Sequence, residues 1–464
     1  MQRTLTSLVI LAAVGCAGPG TKRTDSELLP PRDERVVQVA ALVVDLETGE
    51  TLLARDPKRL LRPASTMKVL TTAAICRRAP DAALETELVA EAAPADGVVL
   101  FGSGDPFLST DEVRALAQTL SSFGAQRVER VRVVDPLRGA PRFGEGWMWD
   151  DEPDTFMPAI SGAPVDGGCV TVEVEGTTAG SVARLVPVAG GLQVNVVERP
   201  GRAEVTRGRY TDAGIVTATG HVPVGDTVTR RLSVPDPADY TAWVVADALR
   251  RAGALADSAA VEVEAPSAAT SQALQAAPHA ASFLRPMAEI VARTNKDSDN
   301  LGAELLLRLL GTFAGEGAPL GPGSLADGLA ALDADVRALG LDPAGYRIAD
   351  GSGVSHYTLI SAELLVKTLE SMYHEGGRSF EVFERSLPVA GVDGTLASRM
   401  RGTPAEGRVH AKTGTISGVS NLAGYVTTAS GRRLAFALLV QNFVGSARPW
   451  RDLQDAFCVR LAEL

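Results

Sequence analysis

Three short strings, Ser65-Thr66-Met67-Lys68, Ser298-Asp299-Asn300 and Lys412-Thr413-Gly414, carry complementary chemistry but stand far apart in the chain. A fold that uses them must bring all three together and set the long stretch between Lys68 and Ser298 aside as an insert. Ser65 offers a hydroxyl nucleophile and Lys68 follows three residues on, so on a helix the two share a face. A serine hydroxyl is a weak attacker at neutral pH, and a lysine with a depressed pKa can serve as its base. The chain has only six lysines (Lys22, Lys58, Lys68, Lys296, Lys367 and Lys412) among its 45 Lys+Arg, yet two of them fall in these strings. Arginine, which the chain otherwise prefers, cannot give up its proton. Alone, Ser65 and Lys68 would equally suit a helix cap and a solvated charge. The ordered set points to a serine acyl-transfer site that works without histidine.

The rest of the composition narrows the choice. With 464 residues, 45% hydrophobic and 22% charged, the chain is long enough for two or three domains of ordinary globular make-up. A net charge of -11 without a basic stripe argues against nucleic acid as a partner. No internal run reaches the ~18 apolar residues of a membrane helix. The five histidines, His221, His279, His356, His374 and His410, lack ligand-like spacing, so neither a metal nor another cofactor is expected. Cys76, Cys169 and Cys458 allow one disulfide with a free thiol or three buried thiols, and small apolar core positions are the simpler expectation.

The N-terminus reads as an export signal, with Arg3 followed by the apolar run Leu8 to Val14. Gly15-Cys16-Ala17 then matches a lipoprotein processing site, with Cys16 as the lipidated residue. Ala13 stands where that pattern has leucine, and ordinary cleavage after Ala17 is the alternative. Either way the expected location is the periplasm, with a lipid anchor in the inner or outer membrane as the only membrane contact. The organisation expected is a signal over 1–16, a tether over 17–35, a catalytic part from 36–78 and 266–464, an inserted α/β part from 79–168 and 235–265, and a nested all-β part over 169–234.

Local patterns support that division. Val36 to Leu46 and Thr51 to Ala54 flank a Thr48-Gly49 turn as a hairpin. Pro63 precedes a helical stretch, Ser65 to Ile75, which puts Ser65 in a first turn whose free N–H groups suit an oxyanion. Gly97 to Phe101, a helix over Asp111 to Phe123 and a strand over Val128 to Val134 imply a small parallel sheet. Short alternating runs fill 170–234, and a helix from Ala238 to Ala252 ends at Gly253. From Phe283 the pattern turns helical, with Ser298 to Asn300 between Pro286–Thr294 and Leu301–Leu310. Strands over Arg408 to Ile416, Asn421 to Thr427 and Leu434 to Gln441 precede a last helix, Trp450 to Leu464. Lys412 thus lies on a strand, where Gly414 would let a substrate backbone come close.

The motif set resembles that of the class C low-molecular-mass penicillin-binding proteins, the D-alanyl-D-alanine carboxypeptidases/endopeptidases. The likeness extends to Gly102-Ser103-Gly104-Asp105-Pro106, Trp147-Met148-Trp149-Asp150-Asp151, Asn295 to Asn300, Asp350 to Ser355, Leu387 to Leu396 and Ala411 to Tyr425. It implies an α/β (α+β) fold: a β-lactamase/transpeptidase-like antiparallel sheet with helices, carrying a large α/β and all-β insertion. It also implies that Ser65 forms the acyl-enzyme while Lys68 takes its proton. Lys412 and Ser298 would lower the Lys68 pKa and pass a proton to the leaving amine. Asn300 would hold the peptide's amide, Thr413 and Thr415 with Lys412 the terminal carboxylate, and the N–H groups of Ser65 and Thr415 the oxyanion. Peptidoglycan stem peptides are the implied substrates and β-lactams the implied covalent inhibitors. His356 departs from the family's arginine, and no dedicated deacylating glutamate is visible. Trp147 and Trp149 read as packing residues, and Gly102 to Pro106 as a structural turn. A poorly turning-over wall sensor, or a β-lactamase or esterase on the same scaffold, are the competing functions.

Overall fold

The computed structural model describes residues 37–91, 97–122, 127–187, 190–277, 279–313 and 321–464. The expected signal, Cys16 and the tether lie outside the described residues. Strands β1 (Gln38–Asp45) and β2 (Thr51–Arg55) form the anticipated hairpin, tightened by Asp45 Oδ1, which accepts from Glu47 N and Thr48 N at 3.0 Å. A 3-10 turn over Ala64–Met67 then leads into α1 (Lys68–Arg78), so the single helix expected from Ser65 is divided. Ala64 sits at φ 46°, in the left-handed region, and winds the chain into that tight turn directly after Pro63.

Next come β3 (Ala83–Ala90), β4 (Gly97–Phe101), α2 (Thr110–Ser122) and β5 (Val128–Val134). The all-β stretch holds β6 (Cys169–Thr177), β7 (Gly180–Val186), β8 (Gln193–Arg202), β9 (Glu204–Arg207), β10 (Ile215–His221) and β11 (Thr227–Ser233). These make two three-stranded sheets, ordered β11-β6-β7 and β8-β10-β9, around Val172, Val216 and Leu232. Helix α3 (Pro237–Arg251) starts at an Asp236 cap with Pro237 behind it, and Gly253 at φ 73° turns the chain just past its end. Strand β12 (Leu255–Glu264), α4 (Ala268–Ala276) and β13 (His279–Pro286) follow.

The insert's main sheet is mixed, not parallel, with order β12-β5-β4-β3-β13. Strand β5 runs parallel to β4 and β12, whereas β3 is antiparallel to both β4 and β13. The link from β3 to β4 is too short for the crossover that a parallel pair needs. Residues 279–286, expected to be catalytic and in part helical, instead pair with β3 along their full length, from His279↔Ala90 to Pro286↔Ala83. Helix formation waits for Met287, behind Pro286, whose ψ of 139° is extended.

Helices α5 (Met287–Lys296), α6 (Asn300–Leu310), α7 (Leu325–Ala338), α8 (Ala362–Glu375) and α9 (Gly377–Ser386) form a helical layer. The chain ends with β14 (Val409–Ile416), β15 (Val419–Thr427), β16 (Arg433–Gln441) and α10 (Arg448–Ala462). The second large sheet is antiparallel throughout, ordered β14-β15-β16-β1-β2. Alternation along β16 covers both faces. Phe436 and Leu438 join a core with Phe457 and Leu461 of α10, while Ala435 and Ala437 join one with Val69 and Leu70 of α1. The alanines let the helical layer approach closely, which brings α1 and the turn before it against β14. Cys76, Cys169 and Cys458 are free, buried thiols.

Candidate active site

Lys68 opens α1 fully buried, and its Nζ has three partners: Ser65 Oγ at 3.0 Å, Asn300 Oδ1 at 2.6 Å and Ser352 O at 2.9 Å. Asn300 Nδ2 donates to Phe156 O at 2.6 Å, which sets the carboxamide so that its oxygen faces Lys68. Two of the three partners are carbonyl oxygens and can only accept. A neutral amine therefore gives its two N–H groups to Asn300 and Ser352 and keeps its lone pair for the Ser65 hydroxyl. Burial pulls the Lys68 pKa down to about 8, against the opposing pull of Asp299, Asp350 and Glu304. At pH 7 about a tenth of such amines are neutral.

Ser298 occupies the turn between α5 and α6 at φ 60°, a left-handed conformation that is costly for a residue with a Cβ. Asp299 caps α6, its Oδ1 accepting from Gly302 N at 2.6 Å. That tight turn delivers Ser298 to one lysine and Asn300 to the other. Lys412 on β14 is fully buried, and its Nζ donates to Ser298 Oγ and Thr413 O, both at 2.9 Å. Burial first, then the Lys68 cation, holds the Lys412 pKa well below the usual lysine range. On Lys68, too, burial is the leading cause.

Gly414 also has a packing role beyond the one expected. A Cβ there would lie 2.6 Å from Pro63 O, 2.9 Å from Thr66 N and 3.2 Å from Ser65 N. The strand thus admits the protein's own serine-bearing turn. Gly353 closes the other side, where a Cβ would lie 1.9 Å from Ala64 O. Thr413 is half-buried and its Oγ1 donates to Thr395 Oγ1 at 2.9 Å, whereas Thr415 is exposed.

Sequence reasoning missed the layer beneath Lys68. Glu304 Oε1 accepts from Gly351 N at 2.9 Å and Ser352 N at 3.0 Å, and Oε2 pairs with Arg308 at 3.0 Å. Asp350 accepts from Ser352 Oγ, Ser355 N, Thr358 Oγ1 and Trp147 Nε1. Together they fix the turn that presents Ser352 O to Lys68. The only sequence signal was the Gly-rich string Asp350 to Ser355. Of the tryptophans expected to pack, Trp147 is committed to Asp350, but Trp149 is 60% exposed, against Tyr210 and Arg209. In the Gly102 to Pro106 turn, Asp105 pairs with buried Arg285 at 2.8 Å.

Two clefts meet at Ser65, and both are lined by Ser65, Ser298 and Thr415. The first, about 660 Å³, adds Thr395, Thr413, Arg399, Arg448, Arg451, Asp452 and Asp455. The second, about 580 Å³, adds Asn300, Ile416, Ser417, Phe156, Asp150, Asp151, Asp297 and His356. His356 Nδ1 lies 3.5 Å from Arg62 Nη1. Among the described residues no group of three or more His, Cys, Asp or Glu side chains could hold a metal ion, and no helix is long and apolar enough to cross a membrane.

The likeness to known proteins follows the same lines. A D-alanyl-D-alanine carboxypeptidase of an Actinomadura species is 32% identical over 95% of this chain and 84% of its own length. The D-alanyl-D-alanine carboxypeptidase DacB of Haemophilus influenzae is 24% identical over 87% of this chain and 85% of its own. The crystal structure of penicillin binding protein 4 from Haemophilus influenzae superposes with a TM-score of 0.75 at 20% identity, covering 95% of this chain and 98% of that one. A predatory endopeptidase from Bdellovibrio bacteriovorus gives 0.51 at 17% identity, covering 91% of each. The sequence profile of one family matches residues 26–464. The chain belongs to the D-Ala-D-Ala carboxypeptidase 3 (S13) family.

Proposed function

We propose that Ser65 attacks the carbonyl of the D-Ala-D-Ala bond in a peptidoglycan stem peptide, with Lys68 as the base. The serine proton passes to Lys68, the backbone N–H groups of Ser65 and Thr415 receive the oxyanion, and the C–N bond breaks as the leaving amine takes a proton by way of Ser298. Water then releases the acyl group from Ser65. Lys412, Thr413 and Thr415 anchor the terminal carboxylate through charge-assisted hydrogen bonds. Asn300 holds Lys68 and, as a lining residue of the second cleft, meets the amide of the acyl chain. The observation that carries this reading is the fully buried Lys68 Nζ, 3.0 Å from Ser65 Oγ with a pKa lowered to about 8.

As a member of its family the chain is a serine-type hydrolase of the D-Ala-D-Ala carboxypeptidase kind, acting on the cell wall outside the cytoplasm. A solved complex of the Haemophilus protein holds a β-lactam, which supports ring-opening acylation of Ser65 by such compounds in this protein. Lipidation at Cys16 as a membrane anchor belongs to the same proposal. The test is to incubate the purified protein with pentapeptide muropeptides and weigh the products. Loss of one D-alanine per peptide, abolished in Ser65→Ala, is expected. Intact pentapeptide, or equal release by the variant, would overturn the reading.

A further inference from the structure

We propose that Arg207 and Arg209 of the all-β stretch are positioning residues for the base: they hold the segment that sets the Phe156 carbonyl on Asn300, and so keep the Lys68 lone pair aimed at Ser65. This rests on the acyl-transfer reading above.

The segment runs from Glu145 to Phe156, between β5 and β6, and walls the second cleft with Met148, Asp150, Asp151 and Phe156. Both of its ends are tied to the site. Ser355 Oγ donates to Glu145 O at 2.6 Å, His356 N to Gly146 O at 3.1 Å and Trp147 Nε1 to Asp350 at 3.2 Å. At the far end Phe156 O accepts from Asn300 Nδ2 at 2.6 Å. Between these anchors no residue from 148 to 156 is buried, so packing does not fix the course of the chain.

Hydrogen bonds from the all-β stretch fix it instead. Arg207, at the end of β9, donates through Nη2 to Glu152 Oε1 at 2.5 Å. Arg209 reaches the Glu152 carbonyl through Nε and the Asp150 carbonyl through Nη2 at 2.7 Å. On β11, Ser233 N donates to Pro153 O at 3.0 Å and Arg230 Nη2 to Asp154 Oδ1 at 2.8 Å. The two arginines differ in what else they hold. Buried Arg207 also donates to Ser233 O, Gly208 O and Ala213 O, which ties the segment to the body of the sheets. Arg209 meets the segment through Asp150, Glu152 and the Trp149 ring, 5.6 Å from its centroid.

The Phe156 carbonyl matters because a carboxamide has two orientations. As placed, Asn300 turns Oδ1 to Lys68 and accepts one of its N–H groups at 2.6 Å. Turned over, it would present N–H groups there, and the neutral amine would give Asn300 the lone pair that Ser65 needs. An acceptor on the far side of Asn300 excludes this, and Phe156 O is that acceptor.

The probe is the bare penicillin nucleus, with a free amine in place of the acyl side chain, so that no acyl chain lies along the wall of the second cleft. Arg209 is the residue to change, because truncating Arg207 would also loosen the sheets. Acylation of Ser65 is followed by intact-protein mass over a range of probe concentrations, in wild type, R209A, R209K, N300A and R209A/N300A, beside melting curves. R209A should melt like wild type and lower the maximal acylation rate about tenfold, with the half-saturating concentration unchanged. R209K, which keeps a donor for the Glu152 carbonyl, should recover most of the loss. In the N300A background R209A should change the rate by less than about twofold, because both substitutions act on one link. An R209A rate equal to wild type, or losses that multiply in the double variant, overturn the proposal while sparing the acyl-transfer reading. A wild type that is not acylated at Ser65 overturns both.

Discussion

Glu304 holds Ser352 in place from below: its Oε1 accepts the Ser352 N–H at 3.0 Å, and the Ser352 carbonyl in turn accepts from Lys68 Nζ at 2.9 Å. Glu304 is fully buried and paired with nearly buried Arg308. Its negative charge also favours the protonated form of Lys68. In Glu304→Gln that support is gone, so the Lys68 pKa falls further and the acid limb of the acylation-rate profile moves to lower pH. Breaking a buried ion pair from one side costs about 3–5 kcal/mol, which denaturant unfolding of the same variant should read. An unmoved acid limb would mean that Glu304 has no electrostatic link to the base.

Gly414→Ala should keep the protein folded and cripple it. The added Cβ meets backbone atoms of Pro63 and Thr66, so β14 and the serine-bearing turn must part. A displacement of that kind near reacting groups costs about a hundredfold in rate. Labelling rates with a fluorescent penicillin, beside a melting curve, separate this from simple unfolding.

Ser298 couples strain to chemistry. Glycine tolerates its φ of 60°, so Ser298→Gly should stabilise the fold relative to Ser298→Ala by about 1 kcal/mol. Both variants lose the hydroxyl that accepts from Lys412, and both should acylate slowly. Comparing their unfolding midpoints and labelling rates checks the two halves separately.

Much of this site was readable from residue types and spacing. Ser65 and Lys68 announced themselves as an i, i+3 pair, and Lys412 by being a lysine in an arginine-rich sequence. The strands around Lys412 followed from alternation that the sheet then uses on both faces. Glu304 and Arg308 escaped because an i, i+4 Glu–Arg pair looks the same in sequence whether it faces water or is buried. Ser352 escaped because it acts on Lys68 through its carbonyl, which every residue has. Gly414 was seen but its packing role was not, since only the folded protein shows that Pro63 fills the space beside it. The strand over 279–286 is set by its partner β3, nearly two hundred residues earlier, and no local pattern encodes that pairing.

Lys412 should show its role through the substrate's carboxylate. A peptide amidated at its last D-alanine loses the charge that Lys412, Thr413 and Thr415 meet, a loss of about 2–5 kcal/mol for a charged partner left unpaired. Steady-state kcat/KM for acid and amide gives the value directly. Equal values would move the anchor elsewhere.

The whole mechanism turns on Lys68 acting as a base, and acylation kinetics test that claim directly. With a pKa of about 8, the wild-type acylation rate should rise as pH increases through that value, because deprotonation frees the lone pair for Ser65. Lys68→Arg keeps the charge but cannot shed a proton, so it should acylate as slowly as Lys68→Ala, roughly 10²–10⁴-fold below wild type. If Lys68→Arg retained a substantial rate, or the wild-type rate fell as pH rose through 8, Lys68 would be an electrostatic anchor and Ser65 would need a different base.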